Sequence, residues 1–137
     1  MAAEPIVLDT NIVLDALVFN DPATAPLLQS LQDGRRQWIA TQAMRDELER
    51  VLTYPQIVKR LMHYGLPASA VLARFDTLVQ LHAVAPKASV TCKDADDQKF
   101  IDLAVAHRCT LLSKDQAVLS MKKRLLALAV DARAAIK

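Results

Sequence analysis

Only two glycines, Gly34 and Gly65, occur in the 137 residues of this chain. That excludes a Walker phosphate loop and the dinucleotide-binding Gly-x-Gly-x-x-Gly turn, which both need several glycines close together. Two cysteines, Cys92 and Cys109, form no Cys-x-x-Cys pair. In a reducing compartment they are two free thiols. Three histidines, His63, His82 and His107, are scattered, and none stands beside a cysteine or glutamate at a zinc-ligand spacing. No apolar run approaches the roughly 20 residues that a membrane span needs. The first residues carry no basic stretch and no cleavage pattern, so no signal peptide is expected. No Ser-His-Asp or Cys-His arrangement offers a nucleophile. These absences point to a cytoplasmic protein without a membrane partner.

What is present is a hydrophobic content of 53%, enough for a real core in one domain spanning residues 1–137. The net charge of +2 permits nucleic acid as a partner without demanding it. Basic pairs and triplets at Arg35-Arg36, Lys59-Arg60 and Lys122-Lys123-Arg124 each read as solvated faces.

Strand and helix signals alternate. Ile6-Val7-Leu8 reads as a buried strand feeding a helix capped by Thr10 or Asn11, with Val13, Leu14 and Leu17 at helical spacing. A second helix covers about residues 23–32, stopped by Asp33-Gly34. Trp38-Ile39-Ala40 is a second strand, and Thr41 caps a helix over residues 42–53. Pro55 and Pro67 each open a helix. The second carries Val71, Leu72, Phe75, Leu78, Val79 and Leu81, with a short strand expected at His82-Ala83-Val84. After a polar loop, a helix spans residues 96–107, Thr110-Leu111-Leu112 is a strand, and a short helix follows Asp115. Residues 125–130 fit either a helix or a last strand. The alternation predicts an α/β fold: a parallel β-sheet sandwiched by helices, in three α/β/α layers. Ligands of such sheets bind at the carboxyl ends of the strands, and Asp9 and Asp115 both fall just past such ends.

Periodicity selects two more acids. In the helix over residues 42–53 the apolar positions are Ala43, Met44, Leu48, Val51 and Leu52, and Glu47 falls within that stripe. A buried carboxylate costs several kcal/mol, on the order of the relaxed Born penalty, so Glu47 needs a basic partner, a proton or a cation. Asp97 heads the stripe of Phe100, Ile101 and Ala104 from the first turn of its helix, and Asp94 stands in the loop before it. Taken singly, each acid has an ordinary explanation as a helix cap, a turn residue or an arginine partner. Together, Asp9, Glu47, Asp97 and Asp115 converge on one edge of one sheet. Gathered carboxylates repel unless they are protonated or bind a cation, and an oxygen-only set selects a hard ion, Mg²⁺ or Mn²⁺. Such an ion suits phosphodiester hydrolysis.

These residues resemble the PIN-domain family, in particular its bacterial branch of toxin components from toxin–antitoxin systems. Ile6-Val7-Leu8-Asp9-Thr10-Asn11-Ile12 looks like the family's opening strand, and Ala43-Met44-Arg45-Asp46-Glu47-Leu48 like its second motif. Residues 92–100, Cys92-Lys93-Asp94-Ala95-Asp96-Asp97-Gln98-Lys99-Phe100, look like the Asp-rich third motif, and Leu111-Leu112-Ser113-Lys114-Asp115 like the fourth. The resemblance runs from about Ile6 to Leu119. It implies a metal-dependent endoribonuclease, a hydrolase of single-stranded RNA. One or two Mg²⁺ or Mn²⁺ ions would be held by Asp9, Asp97 and Asp115, with Glu47 acting directly or through water. Thr10, Asn11, Ser113 and Asp94 would orient these acids or contact phosphate. The resemblance also implies a homodimer and a small antitoxin partner. The Pro-containing tail usual in this branch is missing, which leaves the last strand and any dimer contact there unassigned.

The alternative is a binding or signalling module: an inactive PIN-like domain, or a receiver-like one with Lys114 as its lysine. A receiver needs adjacent acids after its first strand, where this chain has Asp9-Thr10-Asn11, and an acid after a middle strand, where none follows Ala40.

Overall fold

The computed structural model describes residues 3–136. The outermost residues of the expected 1–137 domain lie outside the described residues. The first strand, β1 (Glu4–Leu8), ends in three consecutive buried residues, Ile6, Val7 and Leu8. Successive strand side chains point to opposite faces, so burial of all three means that both faces of the sheet are covered. The strand β2 (Arg36–Ala40) repeats this with Trp38, Ile39 and Ala40, and β4 (Thr110–Leu112) with Leu111 and Leu112. Two short strands, β3 (Val79–Leu81) and β5 (Asp131–Arg133), complete a sheet of order β3-β2-β1-β4-β5. All four pairings are parallel, with Ile6 opposite Trp38, Leu8 opposite Leu112, and Leu112 opposite Arg133.

Helices flank the sheet, as expected from the alternation: α1 (Thr10–Leu17), α2 (Ala25–Gln32), α3 (Gln42–Val51), α4 (Pro55–Tyr64), α5 (Ala68–Leu78), α6 (Gln98–His107), α7 (Gln116–Leu119) and α8 (Lys122–Leu126). The prolines act as read. Pro55 sits at the start of α4, where no N–H partner is needed, and Pro67 immediately precedes α5. Gly65 ends α4 in the left-handed region at φ 61°, a conformation cheap only without a Cβ. Trp38 and Phe75 meet edge to face with centroids 5.0 Å apart, which ties α5 to the sheet. Among the described residues, no helix is long and apolar enough to cross a membrane.

Besides the cap of α1, which is Asp9 rather than Thr10 or Asn11, three local expectations need correction. The strand expected at His82-Ala83-Val84 lies three residues earlier, at Val79–Leu81. Only the His82 N–H continues the ladder, donating to the Ala40 carbonyl at 2.8 Å, and Val84 is exposed. Val79 and Leu81 had continued the helical spacing of α5, but the helix stops at Leu78 and the chain turns extended at Val79. Second, the segment after Met121 is a short helix and then a strand. It turns at Ala129, whose φ is 64°, and β5 follows at Asp131–Arg133. Third, Ala43 is exposed, so the buried side of α3 is narrower than expected, with Met44 and Leu48 at its centre.

The chain runs from β1 outward to β2 and β3, then returns to the other side of β1 for β4 and β5. The strand order therefore reverses between β1 and β4. The crevice at the carboxyl ends of these two strands is the topological switch point, where open parallel sheets bind ligands.

Candidate functional site

Asp9 is the first residue after β1 and Asp115 the third after β4, so adjacent strands deliver both acids to the switch-point crevice. Asp97 arrives from the side, at the end of a 3-10 turn (Ala95–Asp97) that runs directly into α6. One carboxylate oxygen from each of Asp9, Asp97 and Asp115 lies within 4.8 Å of the others. Asp9 and Asp97 are buried and Asp115 is half-buried. The three acids line an open cavity of about 340 Å³, together with Thr10, Asn11, Glu47 and Asp94.

The surroundings of Asp9 are built to hold it still. The Ser113 hydroxyl donates to Asp9 Oδ2 at 2.6 Å, and the same Ser113 oxygen accepts from the Asp115 backbone N–H at 3.1 Å. Ser113 is fully buried, so this relay fixes the two aspartates relative to each other. Asp115 also caps α7, accepting from the Ala117 N–H at 2.9 Å. Asp97 is different. It is 94% buried, and its Oδ2 has no hydrogen-bond partner at all among the described residues.

Electrostatics follow from this geometry. Burial raises the Asp9 carboxyl above its ordinary range, opposed by hydrogen bonds from Ser113 and the Asn11 backbone, and supported by the charges of Asp115 and Glu47. Asp97 is pushed up to about 8, first by burial, then by the neighbouring Asp115 carboxyl and the charges of Asp9 and Asp94. Left to itself, the trio must take up protons near neutral pH. A divalent cation resolves the same repulsion.

The other sequence-selected residues are placed as follows. Glu47 faces the cavity from α3, half-buried rather than fully buried, and outside the close trio. Thr10 donates its hydroxyl to Glu47 Oε2. Asn11 is exposed at the cavity wall. Asp94 is an exposed cap, accepting from the Asp96 N–H at 2.9 Å. Lys114, the candidate lysine of a receiver-like site, is paired with Asp15 of α1.

Several residues at or beside the cavity escaped the sequence reading. Lys99, on the first turn of α6, reaches Glu47 Oε1 at 2.9 Å. It supplies the basic partner that burial of Glu47 demands. Its signal in the sequence was its place, since a cation in the first turn of a helix opposes the helix dipole. Val51, Tyr54, Gln56 and Ile57, around the junction of α3 and α4, form the wall beside the carboxylates. Val51 belonged to the apolar stripe read for α3, and nothing in the spacing of the other three marked them.

The parallel α/β sheet thus carries three gathered carboxylates at its switch point, a cluster that could hold a metal ion. The family follows from the sequence: the model described as PIN domain matches residues 5–117, and the chain belongs to the PIN-domain family. Proteins of this family are generally nucleases that use divalent metals. Comparison with curated proteins gives no significant match. Among solved structures, the chain is similar to one in the crystal structure of VapBC2 from Rickettsia felis bound to a DNA fragment from their promoter. The TM-score is 0.64 at 14% identity, over 93% of this chain and 98% of that one. At that identity the likeness speaks for the fold.

Proposed function

We propose that this protein is a divalent-metal-dependent endoribonuclease that hydrolyses phosphodiester bonds of single-stranded RNA. The observation that carries the reading is Asp97 Oδ2, a buried carboxylate oxygen without a partner, set among Asp9 and Asp115. An unpaired oxygen buried beside two further acids is costly unless a cation sits there. Three carboxylates and no soft donors fit Mg²⁺ or Mn²⁺. When bound, such an ion acts as a Lewis acid toward a phosphate oxygen and makes water more acidic.

The chain's own residues supply the rest. Asp9, Asp97 and Asp115 hold the ion, and Ser113 fixes the orientation of Asp9. Glu47, which lines the same cavity, would orient the attacking water. Thr10 keeps Glu47 in position, and Asn11 and Asp94 stand at the rim, where substrate enters. The cavity is open to solvent, which suits a flexible single strand.

The VapBC2 neighbour belongs to a two-component assembly. By analogy, this chain is the toxin of such a pair, acting on RNA in the cytoplasm as a homodimer, and a small antitoxin restrains it. An arginine from that partner entering the acidic cavity is the simplest restraint. Lys114 is paired with Asp15 of α1 and does not line the carboxylate cavity.

The test is cleavage of labelled single-stranded RNA with Mn²⁺ or Mg²⁺, beside Asp9→Asn, an EDTA control and single-stranded DNA of the same sequence. Wild type is expected to cut RNA, and the variant to lose on the order of 10²–10³-fold in rate, as when a preorganised charge-stabilising group is lost. EDTA abolishes cutting. Equal cutting by wild type and Asp9→Asn would sink the assignment. Light scattering of the purified chain reads the dimer directly.

A further inference from the structure

Beside the aspartate trio and the exposed Asp94, the cavity contains Glu47, a carboxylate whose oxygens are already engaged. Glu47 Oε1 receives Lys99 Nζ at 2.9 Å, with Arg50 Nη2 at 4.0 Å, and Glu47 Oε2 accepts the Thr10 hydroxyl. The side chains of Glu47 and Lys99 are 13% and 27% exposed, so the ion pair is largely withdrawn from water. In that setting a charge pair is felt far more strongly than at the surface. The contrast with Asp97, whose Oδ2 has no partner, divides one cavity into two parts. The three aspartates are short of positive charge. Glu47 is not.

Lys99 also stands where helix physics disfavours it. It is the second residue of α6, and a cation in a helix's first turn faces the positive end of the macrodipole. The ammonium is held there by Glu47 and by the Asp96 carbonyl, and it lies 4.8 Å from the Phe100 ring centre. A residue kept against local preference and locked by several partners marks a positioned group.

Two-metal nuclease centres hold their ions about 3.5–4 Å apart between shared carboxylates. Here Glu47, the less exposed of the two further acids lining the cavity, carries an ammonium group. We propose that Lys99 is a built-in cation that takes Glu47 out of the ligand set, so that the chain binds a single divalent ion, on Asp9, Asp97 and Asp115. The inference rests on the metal-nuclease reading above and adds the ion count and the division of labour. Lys99 is thus a positioning residue. It keeps Glu47 oriented and free of metal.

The test is calorimetric titration of the full chain with Mn²⁺, with free Mn²⁺ counted by electron paramagnetic resonance. Wild type is expected to bind one ion per chain. Glu47→Gln keeps that ion with affinity within about threefold, well short of the 10–100-fold typical when even an indirect support of a metal ligand is lost. Lys99→Met releases Glu47 and gains a second, weaker ion. Two ions in wild type, loss of about tenfold or more in Glu47→Gln, or an unchanged single ion in Lys99→Met each overturns the inference and leaves the nuclease reading intact. Asp9→Asn separates the two: if it binds Mn²⁺ like wild type, the metal-site reading itself falls. Thermal melts accompany every variant. Should Lys99→Met unfold, Lys99→Gln carries the same arm, and the wild-type count and Glu47→Gln decide independently.

Discussion

Asp15, in the C-terminal half of α1, and Asp97, just ahead of α6, are both buried acids, yet the fold treats them oppositely. Asp15, on α1, is answered by the Lys114 ammonium, and the pair lies outside the carboxylate cavity, beside a separate small pocket. Asp97 is buried to a similar depth, has an oxygen with no partner and faces two more acids. Burial alone therefore does not distinguish a structural acid from a ligand. The missing partner does. A paired acid stabilises the fold at rest, whereas an unpaired one stores an unfavourable charge that only a proton or a cation relieves.

The comparison is broken most directly at Asp97. Its carboxyl is raised to about 8 in the fold, against 3.8 as an ordinary aspartate. The folded state thus holds a proton that the unfolded state releases. The stability this proton confers is complete below pH 3.8 and is lost as pH rises through about 8. Metal-free wild type is expected to melt at falling temperatures from pH 5 to pH 8. Asp97→Asn should flatten that slope and melt roughly 3–8 °C higher at pH 8 without metal, the shift expected for one to two kcal/mol. The same variant should lose Mn²⁺ binding. A pH-independent melt of the metal-free wild type would remove the argument.

Ser113→Ala sharpens it. Removing the hydroxyl that orients Asp9 leaves every ligand in place, and Mn²⁺ affinity is expected to drop roughly 10–100-fold, as for other supports of metal ligands. Calorimetry checks this, and an unchanged affinity would mean that the relay is only packing. Asp15→Asn is the counterpart on the structural side. It should cost about 1 kcal/mol, measured by urea unfolding, because Lys114 is half exposed and finds water. Its Mn²⁺ affinity should stay unchanged. The smallest effect belongs to a pair remote from both acids. Arg45→Ala breaks the fork-like bond to Asp76 between α3 and α5, at 2.7 and 3.0 Å, and at this exposed site is worth about 0.2–1 kcal/mol. A larger loss in urea unfolding would show that the α3–α5 contact carries more of the fold than its exposure implies.

The central strands were legible because burial on both faces leaves unbroken apolar triplets: Ile6-Val7-Leu8, Trp38-Ile39-Ala40, and Leu111-Leu112. The edge strands were not. Parallel edges of three residues are held by backbone ladders and carry little apolar pattern, so Asp131-Ala132-Arg133 looks like a loop and Val79 to Leu81 like helix. Ala129 deepens the difficulty, since its left-handed turn ends the α8 segment at a residue type that gives no stop signal. At the site, Asp9, Asp97 and Asp115 were legible from strand ends and helix spacing. Lys99 was hidden, because a charged residue beside an apolar stripe reads as solvated until the opposite wall of the cavity is known.

The bond between Ser113 and Asp9 joins residues 104 positions apart, and β4 must dock beside β1 before it exists. A growing chain can build β1, β2, β3 and the first six helices before β4 brings Ser113 and Asp115 to the crevice. A ribosome stalled or a protease cutting ahead of Thr110 would therefore release a fragment with Asp9 in place and no assembled centre. If the protein cuts RNA as proposed, its order of synthesis is itself a safety catch: the cell is exposed to the completed molecule and not to its fragments.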